Sequence, residues 1–172
     1  MVQFRVTKKF AKDCKINNLK NPEQESLIFD DWVIDVFRVV RKKVAIVSHV
    51  QTLLTFLIPY SHVGGARGVI DRVPILLQQF LLDHNFSEYI DEMEQVFKTP
   101  PRFCKTQNRH VLGHMNDFKR CVDVMTSISF DAIDWDEQME KINNMPVNIK
   151  TMGFIFPGEL MKKFIENAKK NS

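Results

Sequence analysis

Three apolar runs rich in β-branched residues, Trp32–Val40, Val44–Val50 and Leu53–Ile58, follow one another with almost no chain between them. The breaks are only Arg41-Lys42-Lys43 and Gln51-Thr52. A parallel crossover needs a dozen residues or more, so runs this close must be antiparallel neighbours. In each run both alternating faces are largely apolar, which calls for cover on both sides of the sheet. Val2, Phe4 and Val6 alternate with polar neighbours and read as a further short strand. The expectation is an α+β fold: an antiparallel meander of three to four strands formed by the first 60 residues, packed with about five helices, in one domain spanning 1–172.

Helical signals fill the remainder. Thr7 can cap a brief helix over Lys8–Lys15, and Ile16–Ser26, with its asparagines and Pro22, reads as a loop. After a Gly-rich loop over Ser61–Gly68, a stripe begins at Val69 and runs through Val73, Leu76, Leu77, Phe80, Leu81 and His84, with Pro74 placed in the first turn. Asn85 and Glu88 have capping-box spacing for a second helix, which Thr99-Pro100-Pro101 stops. Arg102–Lys105 reads as a short strand. Further helices are expected over Arg109–Ser127, over Asp134–Asn144 and from Pro157 onward, with an extended piece, Val147–Phe156, before the last. Residues 167–172 read as a solvated tail.

At 172 residues the chain can bury an ordinary core without staples. Fourteen Phe supply core material. Cys14, Cys104 and Cys121 are odd in number and far apart, which excludes a disulfide framework and points to a reducing, cytoplasmic setting. No signal-peptide pattern is visible, and the longest apolar stretch, Leu53–Tyr60, is too short to span a bilayer, so no membrane partner is expected. The formal net charge of +3 permits a nucleic-acid partner without demanding one.

The segment 108–127 is the richest in chemistry. At 100° per residue, Val111, Met115, Phe118, Val122 and Met125 form a core stripe. His110, His114, Asp117 and Cys121 border it. Arg109, Gly113, Asn116 and Arg120 lie opposite. His110 and His114 have the spacing of helical zinc ligands, but the sequence is His-Val-Leu-Gly-His, without the glutamate of a metalloprotease, and no second Cys/His cluster completes a set. The expectation is therefore no metal and no cofactor. Gly113 is different: a helix-interior glycine costs about 0.5–1 kcal/mol relative to alanine. Flanked by two arginines and an asparagine, it suggests that a backbone segment or a ligand comes close. Asn108, Arg109, Gly113, Asn116 and Arg120 are the candidate binding residues, with the arginines as fork donors to an anion or amide.

The stretch Asn108-Arg109-His110-Val111-Leu112-Gly113-His114-Met115-Asn116-Asp117 resembles an Asn-Arg-Ser-x-Leu-Gly-x-Met-Asn-Asp/Glu signature of an uncharacterised bacterial family, domain of unknown function 6933. Thr7-Lys8-Lys9, Asp31-Trp32, Arg41-Lys42-Lys43 and Thr52-Leu53-Leu54-Thr55-Phe56 are similar to that family too. His110 stands where the signature has a small hydroxyl residue. The resemblance implies no activity.

Other motifs carry less. Gly64-Gly65-Ala66-Arg67-Gly68 precedes a helix but lacks a phosphate-loop ending. Ser48-His49 lacks an acid partner, Asp30-Asp31 reads as a charged strand edge, and Arg41-Lys42-Lys43 reads as a hairpin tip. The functional expectation is a small bacterial or mobile-element binding protein acting on a protein or nucleic acid. The alternative is a hydrolase- or nuclease-type enzyme using Arg109, Asn116 and the His110–His114 pair.

Overall fold

A computed structural model describes residues 1–23, 28–125, 129–149 and 152–171. In chain order the elements are β1 (Gln3–Val6), α1 (Lys8–Cys14), β2 (Asp31–Val39), β3 (Lys42–His49), β4 (Thr55–Pro59), α2 (Ala66–Asp83), α3 (Ile90–Lys98), β5 (Arg102–Lys105), α4 (Arg109–Met125), α5 (Trp135–Asn143), β6 (Val147–Ile149), β7 (Gly153–Ile155) and α6 (Pro157–Asn171). Single 3-10 turns lie at Tyr60–His62, Ser87–Tyr89 and Phe130–Ala132. The expected ends at Gln24–Ser26, Thr126–Ser127, Lys150–Thr151 and Ser172, and the side chain of Met125, lie outside the described residues.

The meander β2-β3-β4 forms as its short connections require, with Val39 opposite Lys42 and Ser48 opposite Thr55. The sheet as a whole is nevertheless mixed, in the order β4-β3-β2-β1-β5. β1 lies parallel to both β2 and β5, with Val6 opposite Ile34 on one side and Lys105 on the other. The short-break argument governs only β2 to β4. Between Val6 and Asp31 the chain is long enough for a crossover through α1, and that length admits the parallel pairing. β6 and β7 pair antiparallel as a separate two-stranded sheet.

Both sheet faces are covered. On one, Phe4, Trp32, Ile34, Val47 and Phe56 pack under Phe10 of α1, Val73 and Leu77 of α2, Met93 of α3 and Ile165 of α6. On the other, Val33, Val44, Ile46 and Leu57 pack under Val111, Met115, Phe118 and Val122 of α4 and Ile142 of α5.

Three local readings need correction. Pro74 sits deep inside α2, which starts earlier than its apolar stripe, at Ala66. Asn85 ends α2 rather than starting α3: it adopts φ +61°, and Phe86 N–H donates to the Leu81 carbonyl while Asn85 N–H donates to Leu82. That is a Schellman closure, in which asparagine serves as well as glycine. Asp31 is no charged edge; it lies in the internal strand β2, nearly buried, and receives a bidentate contact from Arg5. α6 runs on to Asn171, with Asn167 and Lys170 exposed.

Candidate functional site

α4 is set by its ends and its apolar stripe. Asn108 is its cap: the Val111 N–H donates to Asn108 Oδ1 at 3.1 Å. This gives Asn108 a structural duty at the first turn. Val111, Met115, Phe118 and Val122 are buried against the sheet. With that face inward, Arg109, Gly113, Asn116 and Arg120 are all exposed on the outer side. They form an exposed stripe. Above Gly113 the space is open; an added Cβ would meet nothing within 4 Å among the described residues. The backbone neighbour expected there is not present.

Beneath the stripe runs a polar chain that the sequence reading missed. Lys119 reaches from α4 to the sheet and donates to Asp35 Oδ2 at 2.5 Å and to Asn116 Oδ1 at 3.1 Å. Thr7 Oγ1 donates to Asp35 Oδ1 at 2.6 Å. Burial alone would raise the Asp35 pKa, but the Lys119 ammonium and the Thr7 hydroxyl outweigh it and hold the carboxyl below its ordinary range. The chain thus joins Thr7 of the Thr-Lys-Lys stretch to Asn116 of the α4 signature. The available signal was one carboxylate inside the apolar run Trp-Val-Ile-Asp-Val-Phe.

The topology explains why these stretches meet. β1 and β5 are parallel neighbours. After β1 the chain enters α1 on one face of the sheet; after β5 it enters α4 on the other. The strand ends therefore part at a topological switch point, the place where open parallel sheets hold ligands. Buried there, Thr106 Oγ1 has no hydrogen-bond partner among the described residues.

The same end of the sheet gathers cations. Lys8 and Lys9 follow β1, Arg41 tips the β2–β3 hairpin, and Lys105 and Arg109 follow β5; all five are exposed. Among the described residues none of them pairs with a carboxylate, whereas the neighbouring Lys42, Lys43 and Lys119 pair with Asp131, Asp13 and Asp35. The hairpin tip is itself strained, with Val40 and Arg41 at φ +46° and +67°. Lys8, Lys9 and Arg109 also occupy first turns of helices, where negative charge is favoured, and neither α1 nor α4 has an acidic residue in its first turn.

His110 and His114 face each other on the flank of α4, Nε2 to Nε2 at 3.2 Å, with rings in a T-shaped arrangement 4.5 Å apart. Partial burial, then the neighbouring His110, lower the His114 pKa. Among the described residues no group of three or more His, Cys, Asp or Glu side chains is arranged to hold a metal ion. Ser48 and His49 do not form a dyad; Ser48 meets Thr55 at 2.7 Å and His49 meets Thr52 at 2.9 Å.

A groove of about 990 Å³ opens between α2, α5 and α6, and one of about 410 Å³ between α2 and α3. None of the α4 candidates lines either. No helix among the described residues is long and apolar enough to cross a membrane.

Residues 3–160 match a family model described as Domain of unknown function (DUF6933), and the chain belongs to that family. No curated protein and no solved structure matches it.

Proposed function

We propose that this DUF6933 member is a non-enzymatic binding protein that recognises the phosphate backbone of a nucleic acid with the switch-point end of its sheet. The observation that supports the reading is the set Lys8, Lys9, Arg41, Lys105 and Arg109, exposed at or after the C-terminal ends of three parallel strands and without a carboxylate partner among the described residues. Three of the five occupy first turns of helices, where a positive charge is disfavoured by the backbone dipole. An anion relieves that repulsion, so a polyanionic partner fits this surface better than a neutral one. Arg120 and Asn116 extend the contact along the exposed face of α4, and open space over Gly113 lets a backbone lie close to the helix. Exposure of these side chains, outside both grooves described above, favours a macromolecule over a small enclosed substrate.

The test is fluorescence anisotropy with labelled single- and double-stranded oligonucleotides at 50 and 200 mM salt. Four phosphate contacts on duplex DNA predict a loss of affinity of about a hundredfold across that range. Combined Lys8→Glu, Lys105→Glu and Arg109→Glu changes should cost at least tenfold at low salt. Binding without salt dependence, or unaltered by these changes, overturns the reading. Binding to polyglutamate but not to oligonucleotides moves the partner to an acidic protein. Cleavage of the oligonucleotide would restore the nuclease alternative.

A further inference from the structure

The histidine pair on α4 lies outside the basic surface and has no part in the core. We propose that His110 and His114 form a two-ligand site for a borderline divalent cation of the zinc, nickel or copper type, with water completing the coordination. Helical periodicity puts residues i and i+4 on one flank, so both imidazoles leave the backbone in the same direction. Their Nε2 atoms stand 3.2 Å apart. With metal–nitrogen bonds of about 2.0–2.1 Å, that separation corresponds to a nitrogen–metal–nitrogen angle of about 100–105°, between octahedral and tetrahedral values. Without metal, two neutral rings at this distance share one proton. For an ion to bind both Nε2 atoms, the ring that carries the Nε2 proton passes to its Nδ1–H tautomer, so both rings stay neutral and only small side-chain rotations are needed.

The surroundings suit the ion. Asp117 is exposed one turn beyond His114, close enough for its charge to act on that ring, and is held by Arg120 at 3.5 Å. It supplies negative charge or a water-bridged contact. Arg109 precedes His110 in sequence but lies on the other flank of the helix by the 100° rule. Imidazole pairs favour copper, then nickel and zinc, and discriminate against magnesium and calcium, which prefer oxygen.

Isothermal titration of untagged protein with copper(II), nickel and zinc chlorides tests the site. Thermal melts with and without metal serve as a second readout. The wild type should bind at least tenfold tighter than His110→Gln or His114→Gln, because each variant loses the chelate. The melting temperature should rise with metal in the wild type and stay level in both variants, and magnesium should do nothing. Both histidines lie on the helix surface, so the variants should melt like the wild type without metal. Equal affinity in wild type and variants, or a metal-dependent rise that survives the double substitution, assigns the binding to other side chains and overturns the proposal. None of these readouts involves a nucleic acid, so the site stands or falls independently of the basic surface.

Discussion

Substituting alanine at Gly68 and at Gly113 should have opposite effects, although both glycines lie inside helices. Gly68 occupies the first turn of α2, where the preceding loop folds back over the helix through Gly64 and Gly65 at φ +70° and +106°. A Cβ at Gly68 would lie 1.8 Å from the Val63 carbonyl oxygen and 2.8 Å from its carbon. Relief requires the oxygen to retreat by more than 1 Å, roughly the shortfall from normal contact. The obstacle is backbone, and Val63 itself packs on the core, so rotamer change offers no escape. Overpacking of this kind costs about 1–3 kcal/mol, and a backbone clash belongs at the upper end. Alanine's helix propensity returns only about 0.5–1 kcal/mol. A net loss of about 2 kcal/mol is expected, which for this chain length lowers the melting temperature by roughly 4–8 °C. At Gly113 the propensity gain stands alone, and a rise of about 1–4 °C is expected. Calorimetric or circular-dichroism melts of the two variants decide it. A neutral Gly68→Ala, or a Gly113→Ala that loses more than about 1 kcal/mol, would refute this account of both sites.

Two further substitutions probe buried charge. His49 is fully buried against Trp32, and burial pushes its pKa down to about 4, so the folded state holds it neutral. Its unfolded value is near 6.5; stability is therefore complete above that pH and is lost as pH falls through 6.5 toward 4, by about 2 kcal/mol at pH 5. Urea melts at pH 7 and pH 5 should show this difference in the wild type and a much smaller one in His49→Gln. Lys119→Met strands the Asp35 carboxylate with Thr7 as its remaining side-chain partner and should cost about 2–4 kcal/mol. Adding Asp35→Asn should recover a large part of that loss; a double variant as unstable as the single would show that the damage comes from lost lysine packing.

The layers of the fold were legible because they follow from period and spacing. The apolar runs of β2 to β4 and the stripe of α4 each satisfy one simple pattern, and they pack as that pattern demands. Topology was not legible to the same degree. Whether β1 joins the sheet parallel or antiparallel depends on where the chain travels between Val6 and Asp31, and no local pattern records that path. Pro74 was misplaced for a related reason. The buried stripe of α2 begins at Ala66, but a single alanine inside the glycine-rich segment carries no readable apolar pattern, so the periodicity becomes visible only at Val69 and places Pro74 in the first turn. The Asn85–Glu88 spacing points forward to a new helix, whereas the left-handed backbone of Asn85 closes the helix behind it; a capping pattern alone does not say which helix it serves.

The site divides along the same line. Arg109, Asn116 and Arg120 could be found because they share one helix, and a wheel places them together. Asp35, Lys119 and Thr7 could not, because their contact depends on β1 entering beside β2 and on α4 crossing the same face. Once those pairings exist, the Thr-Lys-Lys stretch and the α4 signature cease to be separate motifs. The buried Asp35 ties them into one unit, and the lysine that neutralises it also fixes Asn116 on the outer surface. In this arrangement Asp35 consumes the positive charge of Lys119 internally, while Lys8, Lys9, Lys105 and Arg109 keep theirs for solvent. A variant that frees Lys119 by Asp35→Asn should therefore add a cation to the basic end and tighten binding to an oligonucleotide, even as the fold weakens. Weaker binding by a still-folded Asp35→Asn protein would mean that Asp35 acts by positioning Asn116, and that the surface recognises its partner by geometry more than by charge.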